Sequence, residues 1–257
     1  GWTVGNYPVF QARLEVLWDA AGRFYGADLI ASNPENHWLM GVTPESGTLV
    51  EFWSDDTLVE KLIVGDKYSL PLGRRQLSAW SSEVRTCYVR RQDSNDVFGI
   101  FCFLPDTFAA DPEQWNDPVI VEIPPEDIDY LIFKRPKEEF EVRPARGGDW
   151  VVVGEDGLEP ARSEVIGGIF SLIERLIATG FLSEEEEEID FSQPDVMLGI
   201  VTKPDSDKDS VQLLLLEKDV DNYLIKDASK PYAYIIGSDL VFDLLTSRER
   251  FTTEPTD

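Results

Sequence analysis

The chain combines a strong negative charge with enough apolar residues to build a core. It has 257 residues, of which 42% are hydrophobic, and its 49 acidic and 23 basic residues give a formal net charge of -26. Disordered acidic chains lack this apolar content, because they cannot bury enough surface to offset chain entropy. We therefore expect a folded protein with a negatively charged surface, in one large domain or two smaller ones.

The excess of carboxylates constrains the partners more than the fold. Nucleic acids and anionic membranes both attract Lys and Arg, so the composition disfavours direct binding to either. There is no run of about 18 apolar residues to span a membrane, and the first residues lack the basic and apolar regions of a signal peptide. We expect a cytoplasmic protein whose charge suits a basic protein partner, a cation or a salt-rich environment.

A change of composition predicts two domains with a boundary near residue 146. Residues 1–146 contain 24 acidic and 14 basic residues, a net of -10, whereas residues 147–257 contain 25 and 9, a net of -16. The segment 134–148 between them is rich in charge, proline and glycine, which is typical of a linker. We expect an antiparallel β-rich domain before this boundary and an α+β domain after it.

Short segments of partly alternating polarity predict antiparallel strands in the first domain. They cover residues 9–17, 24–30, 38–42, 48–53, 84–90, 97–104, 119–123 and 130–133. Polar turn residues separate several of them, as in a sandwich or a strongly bent sheet.

The second domain contains the clearest helix, predicted over residues 163–179. Its apolar residues repeat at helical spacing on one face, namely Val165, Ile166, Ile169, Phe170, Ile173, Leu176 and Ile177. Ser163 is the expected N-cap and Gly180 the expected C-terminal residue. Gly167 and Gly168 each weaken a helix by about 1 kcal/mol, for which we expect compensation from close packing on a sheet.

Strands are predicted around this helix at residues 150–153, 196–202, 211–217 and 232–236, followed by a short helix over residues 239–247. The fold class is therefore α+β and β-rich, with antiparallel sheets in two lobes and one main helix packed on the second sheet.

Two features are candidates for binding a partner. The first is the acidic run of Glu184, Glu185, Glu186, Glu187 and Glu188, which suits a basic docking surface, the alternative being an exposed loop. The second is Trp115, which stands in a polar loop with acidic neighbours. Exposed tryptophan is common at binding hot spots, although this ring could instead fill the space beneath its loop.

The alternating carboxylates of Asp205, Asp207 and Asp209 resemble the opening of a calcium-binding loop. Carboxylates so spaced could converge on one hard cation. The glycine and glutamate that an EF-hand needs further along are missing. Weak calcium binding of another kind and a solvated hairpin turn are the two interpretations.

The residues offer little catalytic chemistry. His37 is the only histidine, which excludes zinc sites with several histidines, and it is expected to be a loop residue unless a nucleophile pairs with it. The chain has two cysteines, Cys87 and Cys102, which we expect to be buried thiols, with a bridge across a hairpin as the alternative. Acidic groups such as Asp55–Asp56 and 126–129 could form a carboxylate site, but chance pairs are common in so acidic a chain.

The function that these features favour is that of a non-catalytic acidic protein that binds a basic protein, as an inhibitor, an immunity-like protein or a DNA mimic. A carboxylate- or metal-dependent hydrolase and a structural subunit of an assembly are the alternatives. A buried acid pair in a cleft would favour the hydrolase, and a large symmetric interface rich in tryptophan would favour the subunit. The oligomeric state is left open.

Overall fold

The computed structural model describes residues 1–22, 27–69, 85–102, 107–154, 157–182 and 189–252, and only the backbone at 66–69, 85, 86, 101 and 102. The chain divides into two compact units, Gly1–Asp117 and Pro118–Asp257. The predicted α+β, β-rich fold with antiparallel sheets is confirmed.

The strands of the first unit are β1 (Thr3–Val4), β2 (Tyr7–Pro8), β3 (Asp28–Ala31), β4 (Thr48–Ser54), β5 (Thr57–Ser69), β6 (Arg85–Arg91) and β7 (Val97–Cys102). Those of the second are β8 (Val119–Val121), β9 (Ile128–Arg135), β10 (Glu138–Pro144), β11 (Trp150–Gly154), β12 (Gly157–Pro160), β13 (Leu176–Ile177), β14 (Gly180–Phe181), β15 (Val196–Thr202), β16 (Val211–Glu217), β17 (Asn222–Asp227) and β18 (Tyr234–Gly237). The α-helices are α1 (Gln11–Gly22), α2 (Ser163–Glu174), α3 (Ser238–Val241) and α4 (Arg248–Thr252), and 3-10 helices cover Pro34–Leu39, Pro112–Trp115 and Pro125–Asp127.

The first unit is built on a five-stranded antiparallel sheet in the order β3-β7-β6-β5-β4. Because side chains alternate between the two faces of a strand, the sheet has two apolar clusters. One contains Leu62 and Val64 of β5 together with Ala20 of α1. The other contains Ile63, the residue between them, packed with Val42 from the loop before β4.

Two segments predicted as strands in this unit are helical. Residues 9–17 contribute to α1, where Leu14 and Ala20 are buried and Leu17 packs against the core. Their spacing of three residues places them along one helix face, and this pattern overrides the partial alternation. Residues 38–42 overlap the 3-10 helix Pro34–Leu39, which begins where the Asn33 side chain accepts a hydrogen bond from the Glu35 N–H at 3.0 Å.

The second unit contains a nine-stranded antiparallel sheet in the order β12-β11-β10-β9-β15-β16-β17-β18-β14. Its core includes three buried aromatic rings. Phe133 of β9 and Phe140 of β10 stack at 5.0 Å between centroids, and Phe251 of α4 meets both edge-on at 5.4 and 5.5 Å.

The predicted domain boundary near residue 146 lies within this sheet, whereas the two units meet at residues 117 and 118. Strands β10 and β11 pair on either side of residue 146, with Pro144 opposite Trp150. The Ala145 N–H donates to the Asp149 carbonyl at 2.7 Å, and Gly148 adopts a φ of +92° that favours glycine. Proline and glycine serve a tight hairpin here, a use that composition does not distinguish from a linker.

Helix α2 ends at Glu174, earlier than the predicted residue 179. Arg175 is extended, and the next residues join sheets as β13, paired with β8, and β14, paired with β18. Gly180 therefore lies in a strand and does not cap the helix. At the start, Arg162 occupies the N-cap position in place of Ser163, and its carbonyl accepts hydrogen bonds from the first turn.

Other predicted boundaries also differ from the structure. The segment 24–30 overlaps β3 at its end, and residues 23–26 lie outside the described residues. The helix predicted over residues 239–247 is replaced by the two short helices α3 and α4.

Cys87 is buried as predicted, with 2% of its surface exposed, but it is disulfide-bonded and not a free thiol. The chain has one other cysteine, Cys102, whose side chain lies outside the described residues.

The two glycines inside α2 have different surroundings. A Cβ atom at Gly167 would meet no described atom within 4 Å, whereas one at Gly168 would lie 2.7 Å from Oδ2 of Asp243. Asp243 is itself ion-paired to Arg250 at 2.7 Å. Gly168 thus leaves space for the carboxylate of Asp243. This space, and not the predicted packing on a sheet, compensates for the low helix propensity of glycine at this position.

The different surroundings of Gly167 and Gly168 predict different effects of alanine on the free energy of unfolding. Gly167→Ala should raise the free energy of unfolding by up to about 1 kcal/mol through helix propensity. Gly168→Ala should gain less than Gly167→Ala, or lose stability, because the new methyl displaces Asp243. Urea denaturation of both variants measures this, and equal stabilisation by the two would contradict the assigned role of Gly168.

Candidate partner-binding surface

Trp115 helps to hold the first unit together. Its indole N–H donates to the Ala109 carbonyl at 2.9 Å, and the guanidinium of Arg13 lies 5.2 Å from the ring centroid. Its backbone carbonyl accepts a hydrogen bond from the Phe10 N–H, next to the start of α1. These contacts explain the half-buried position of the Trp115 ring by packing within the unit. Contact of Trp115 with a partner stays a prediction.

The other partner-binding candidates, Glu184, Glu185, Glu186, Glu187 and Glu188, lie outside the described residues.

Asp205, Asp207 and Asp209 are exposed in the turn between β15 and β16. The turn is held by hydroxyl groups: Thr202 Oγ1 donates to the Lys208 carbonyl at 2.9 Å, and Ser206 Oγ accepts from the Lys208 N–H at 3.0 Å. Across the described ranges, no group of three His, Cys, Asp or Glu side chains has the arrangement to hold a metal ion. Weak calcium binding at this turn stays a prediction.

His37 and Cys87 both have structural partners. The Nε2 atom of His37 lies 3.0 Å from the Asn95 carbonyl, and the His37 carbonyl accepts hydrogen bonds from the backbone of Met40 and Val42. Since Cys87 is disulfide-bonded, it has no thiolate with which His37 could form a nucleophilic pair.

The first unit exposes an unusual number of aromatic side chains. Four of its tryptophans are more than 40% exposed, namely Trp2, Trp18, Trp38 and Trp53. The sequence feature that points to Trp53 is the strand pattern. Because neighbouring residues of a strand face opposite ways, Trp53 and Phe52 must lie on opposite faces of the sheet.

The best-defined exposed group lies on the hairpin of β4 and β5. We call it the Trp53 face; it consists of Leu49, Glu51, Trp53, Leu58 and Lys61. The first three alternate along β4, and cross-strand pairing places Trp53 opposite Leu58 and Glu51 opposite Lys61. Trp53 is 56% exposed and Leu49 51%.

The opposite side of the same hairpin fixes it to the core. Val50 and Phe52 pack against the apolar cluster beneath α1. The Phe52 ring lies 6.2 Å from that of Trp18, which in turn meets Trp2 edge-on at 5.9 Å. The exposed side chains therefore stand on a strand whose other side is held.

Polar contacts orient the indole of Trp53. Glu51 Oε1 lies 2.6 Å from Lys61 Nζ, and the Trp53 indole N–H donates to Glu51 Oε2 at 3.2 Å. The hydrogen bond from Lys61, supplemented by that from Trp53, lowers the pKa of Glu51. An ionised carboxylate thus positions an exposed aromatic ring, and such preorganisation reduces the entropy lost on binding.

The hairpin ends in the two-residue turn of Asp55 and Asp56, both exposed. Asp55 has a φ of +50°, a conformation that aspartate tolerates better than most residues. The turn adds two carboxylates at the tip of the Trp53 face.

The second unit carries a separate group of exposed carboxylates. Asp195, Glu217, Asp219 and Asp221, here called the β16–β17 carboxylates, lie at one end of β15, β16 and β17. Asp195 Oδ2 accepts a hydrogen bond from the Glu217 N–H at 2.8 Å. None of the four forms an ion pair with a lysine or arginine in the part of the chain that the structure describes.

Local hydrogen bonds favour the ionised form of Asp219. The Asp221 N–H donates to Asp219 Oδ1 at 2.9 Å, and this bond is the largest cause of the lowered pKa of Asp219. The pKa of Tyr223, opposite Glu217, is raised by burial and then by the charges of Glu217 and Asp195.

In the described residues, no helix has the length and apolar composition required to cross a membrane. No protein-family model, curated protein or solved structure matches the chain.

The contacts of Glu51 predict a measurable change on removing Lys61. In Lys61→Gln the pKa of the Glu51 carboxyl should rise, because its strongest hydrogen bond and the nearby cation are lost. Carbon NMR titration of the carboxyl groups measures this shift. Arg91→Gln is the matched control, since Arg91 of β6 forms an ion pair with Glu60 of this hairpin at 3.0 Å. An equal effect of both substitutions on the pKa of Glu51 would contradict the assignment.

Proposed function

We propose that the protein is a non-catalytic acidic interaction protein that binds a basic protein partner, in the manner of an inhibitor, an immunity protein or a DNA mimic. The observation that carries the proposal is the Trp53 face, an exposed tryptophan oriented by the Glu51–Lys61 ion pair, with Asp55 and Asp56 at the hairpin tip. Binding hot spots are enriched in tryptophan, and an aromatic face attracts arginine and lysine through cation–π contact.

The distribution of charge supports the same proposal. The first unit has 17 acidic and 9 basic residues, a net of -8, and the second has 32 and 14, a net of -18. A field of one sign raises association rates with oppositely charged proteins by one to three orders of magnitude. The second unit, which includes the β16–β17 carboxylates, supplies most of this field.

The geometry of the acidic pairs favours binding over hydrolysis. Paired catalytic carboxylates divide acid and base roles when burial separates their pKa values, whereas Asp55 and Asp56 are both exposed on a hairpin tip. In the group at residues 126–129, Glu126 is exposed and Asp127 and Asp129 are half-buried, so this group is not a buried acid pair.

The proposed partner is a protein because the net charge repels nucleic acids and anionic membranes. The bonded state of Cys87 weighs against the cytoplasmic location predicted from the sequence, because cytosolic reductants keep most thiols reduced.

A capture experiment tests the proposal. The protein is immobilised and exposed to source lysate at low salt, beside two variant baits. One is Asp195→Asn/Glu217→Gln/Asp219→Asn/Asp221→Asn, which lowers the field, and the other is Trp53→Ala. We expect one dominant basic protein on the wild-type bait, reduced on both variants and released by salt.

Leu158→Ala is the control bait, since Leu158 is an exposed apolar residue of the second unit outside both surfaces. Capture that is identical on all four baits, or the absence of any basic protein from the wild-type bait, would contradict the proposal.

A further inference from the structure

Strand β4 forms one edge of the five-stranded sheet, and among the described residues β5 is the one strand that pairs with it. An edge strand presents a row of N–H and C=O groups that another strand can pair with. With seven residues, β4 is longer than the other edge strands of the two large sheets, which are β3, β12 and β14, with four, four and two residues.

The sequence of β4, TLVEFWS, carries one charged residue, Glu51, and few of the other features that protect an edge. Natural edges are commonly blocked by lysine, proline or a bulge in the edge strand itself. Strand β4 has no lysine or proline, and the extra residue of the register shift, Val59, lies in β5. Two of its outward side chains, Leu49 and Trp53, are apolar and exposed.

Charge disfavours a second copy of the chain at this edge. Glu51 is the central residue of β4, so symmetric antiparallel pairing of two β4 strands would place Glu51 opposite Glu51. Like charges directly opposite are destabilising, and two chains of -26 each repel.

The same charges suit an extended basic segment. Such a segment beside β4 would place alternate side chains on the Trp53 face, where arginine or lysine can stack on Trp53 and share Glu51 with Lys61, its present partner. Near the hairpin tip it would meet Asp55 and Asp56. The backbone would supply affinity and the alternate side chains specificity, as in other cases of strand addition.

We infer that β4 is a docking edge on which a basic partner segment adds as a sixth strand of the sheet. This inference rests on the proposed function, because it specifies how the basic partner is held.

The test uses a defined probe, a ten-residue capped peptide of alternating arginine and valine. A second peptide has every backbone nitrogen methylated, which keeps all side chains and charges but cannot donate to an edge. Amide hydrogen exchange of the labelled protein, followed by NMR, reports which strand is paired. Fluorescence anisotropy gives the affinities.

We expect alternate amides of Thr48–Ser54 to exchange at least about tenfold more slowly with the first peptide, since pairing protects hydrogen-bonded amides. The methylated peptide should leave them unchanged. Trp53→Lys should weaken binding by roughly tenfold, because lysine protects an edge and repels arginine. Leu158→Lys adds the same charge at an exposed leucine of the edge strand β12 and should change the affinity less than about twofold.

The outcomes separate this inference from the proposed function. Salt-dependent binding of both peptides without protection of β4 would overturn strand addition and leave the proposed function standing. If neither peptide binds at low salt, the result counts against both the inference and the proposed function. Protection of β4 before peptide is added, or with dimerisation of the protein alone, would mean that the edge is already occupied and would overturn the inference.

Discussion

The alternation of side chains along β4 couples the core of the first unit to its surface. Val50 and Phe52 are held beneath α1, so Leu49, Glu51 and Trp53 lie on the opposite face of the sheet, the face that also carries the cluster of Ile63 and Val42. A shift of register by one residue would bury Glu51 and expose Phe52, which the core does not permit. The Trp53 face is therefore a consequence of packing on the opposite side of the sheet.

The same alternation explains how so acidic a chain folds. Apolar residues occupy the inward positions of long antiparallel strands, and carboxylates collect at strand ends and turns. Around β16 and β17 the backbone N–H groups of Glu217 and Asp221 bind carboxylates directly. The bond from Asp221 favours the ionised form of Asp219, so the negative surface is compatible with the sheet that carries it.

The sequence was most informative where alternation and turns agreed. The strands at 196–202 and 211–217 begin and end at the predicted residues, and the hairpin of β6 and β7 was also predicted. It was least informative where the same residues fit both the two-residue period of a strand and the 3.6-residue period of a helix. Residues 9–17 fit a strand by alternation and a helix by the spacing of Leu14 and Leu17, and only contact with the sheet decides between them.

Long-range pairing also sets features that local composition does not contain. Helix α2 ends at Glu174 because the next residues pair with β8, which lies about 55 residues earlier in the chain. The Trp53 face could not be predicted from the sequence for the same reason. The pairing of Glu51 with Lys61 depends on the hairpin register, which the residue types alone do not determine.

We propose that the two surfaces divide the work of binding: the charge of the second unit accelerates encounter, and the Trp53 face holds the partner. Stopped-flow association with the purified basic partner over a range of salt tests it directly. The account predicts that neutralising the β16–β17 carboxylates lowers the association rate and its salt dependence, whereas Trp53→Ala mainly raises the dissociation rate. An association rate independent of salt, or a dissociation rate unchanged by Trp53→Ala, would contradict it.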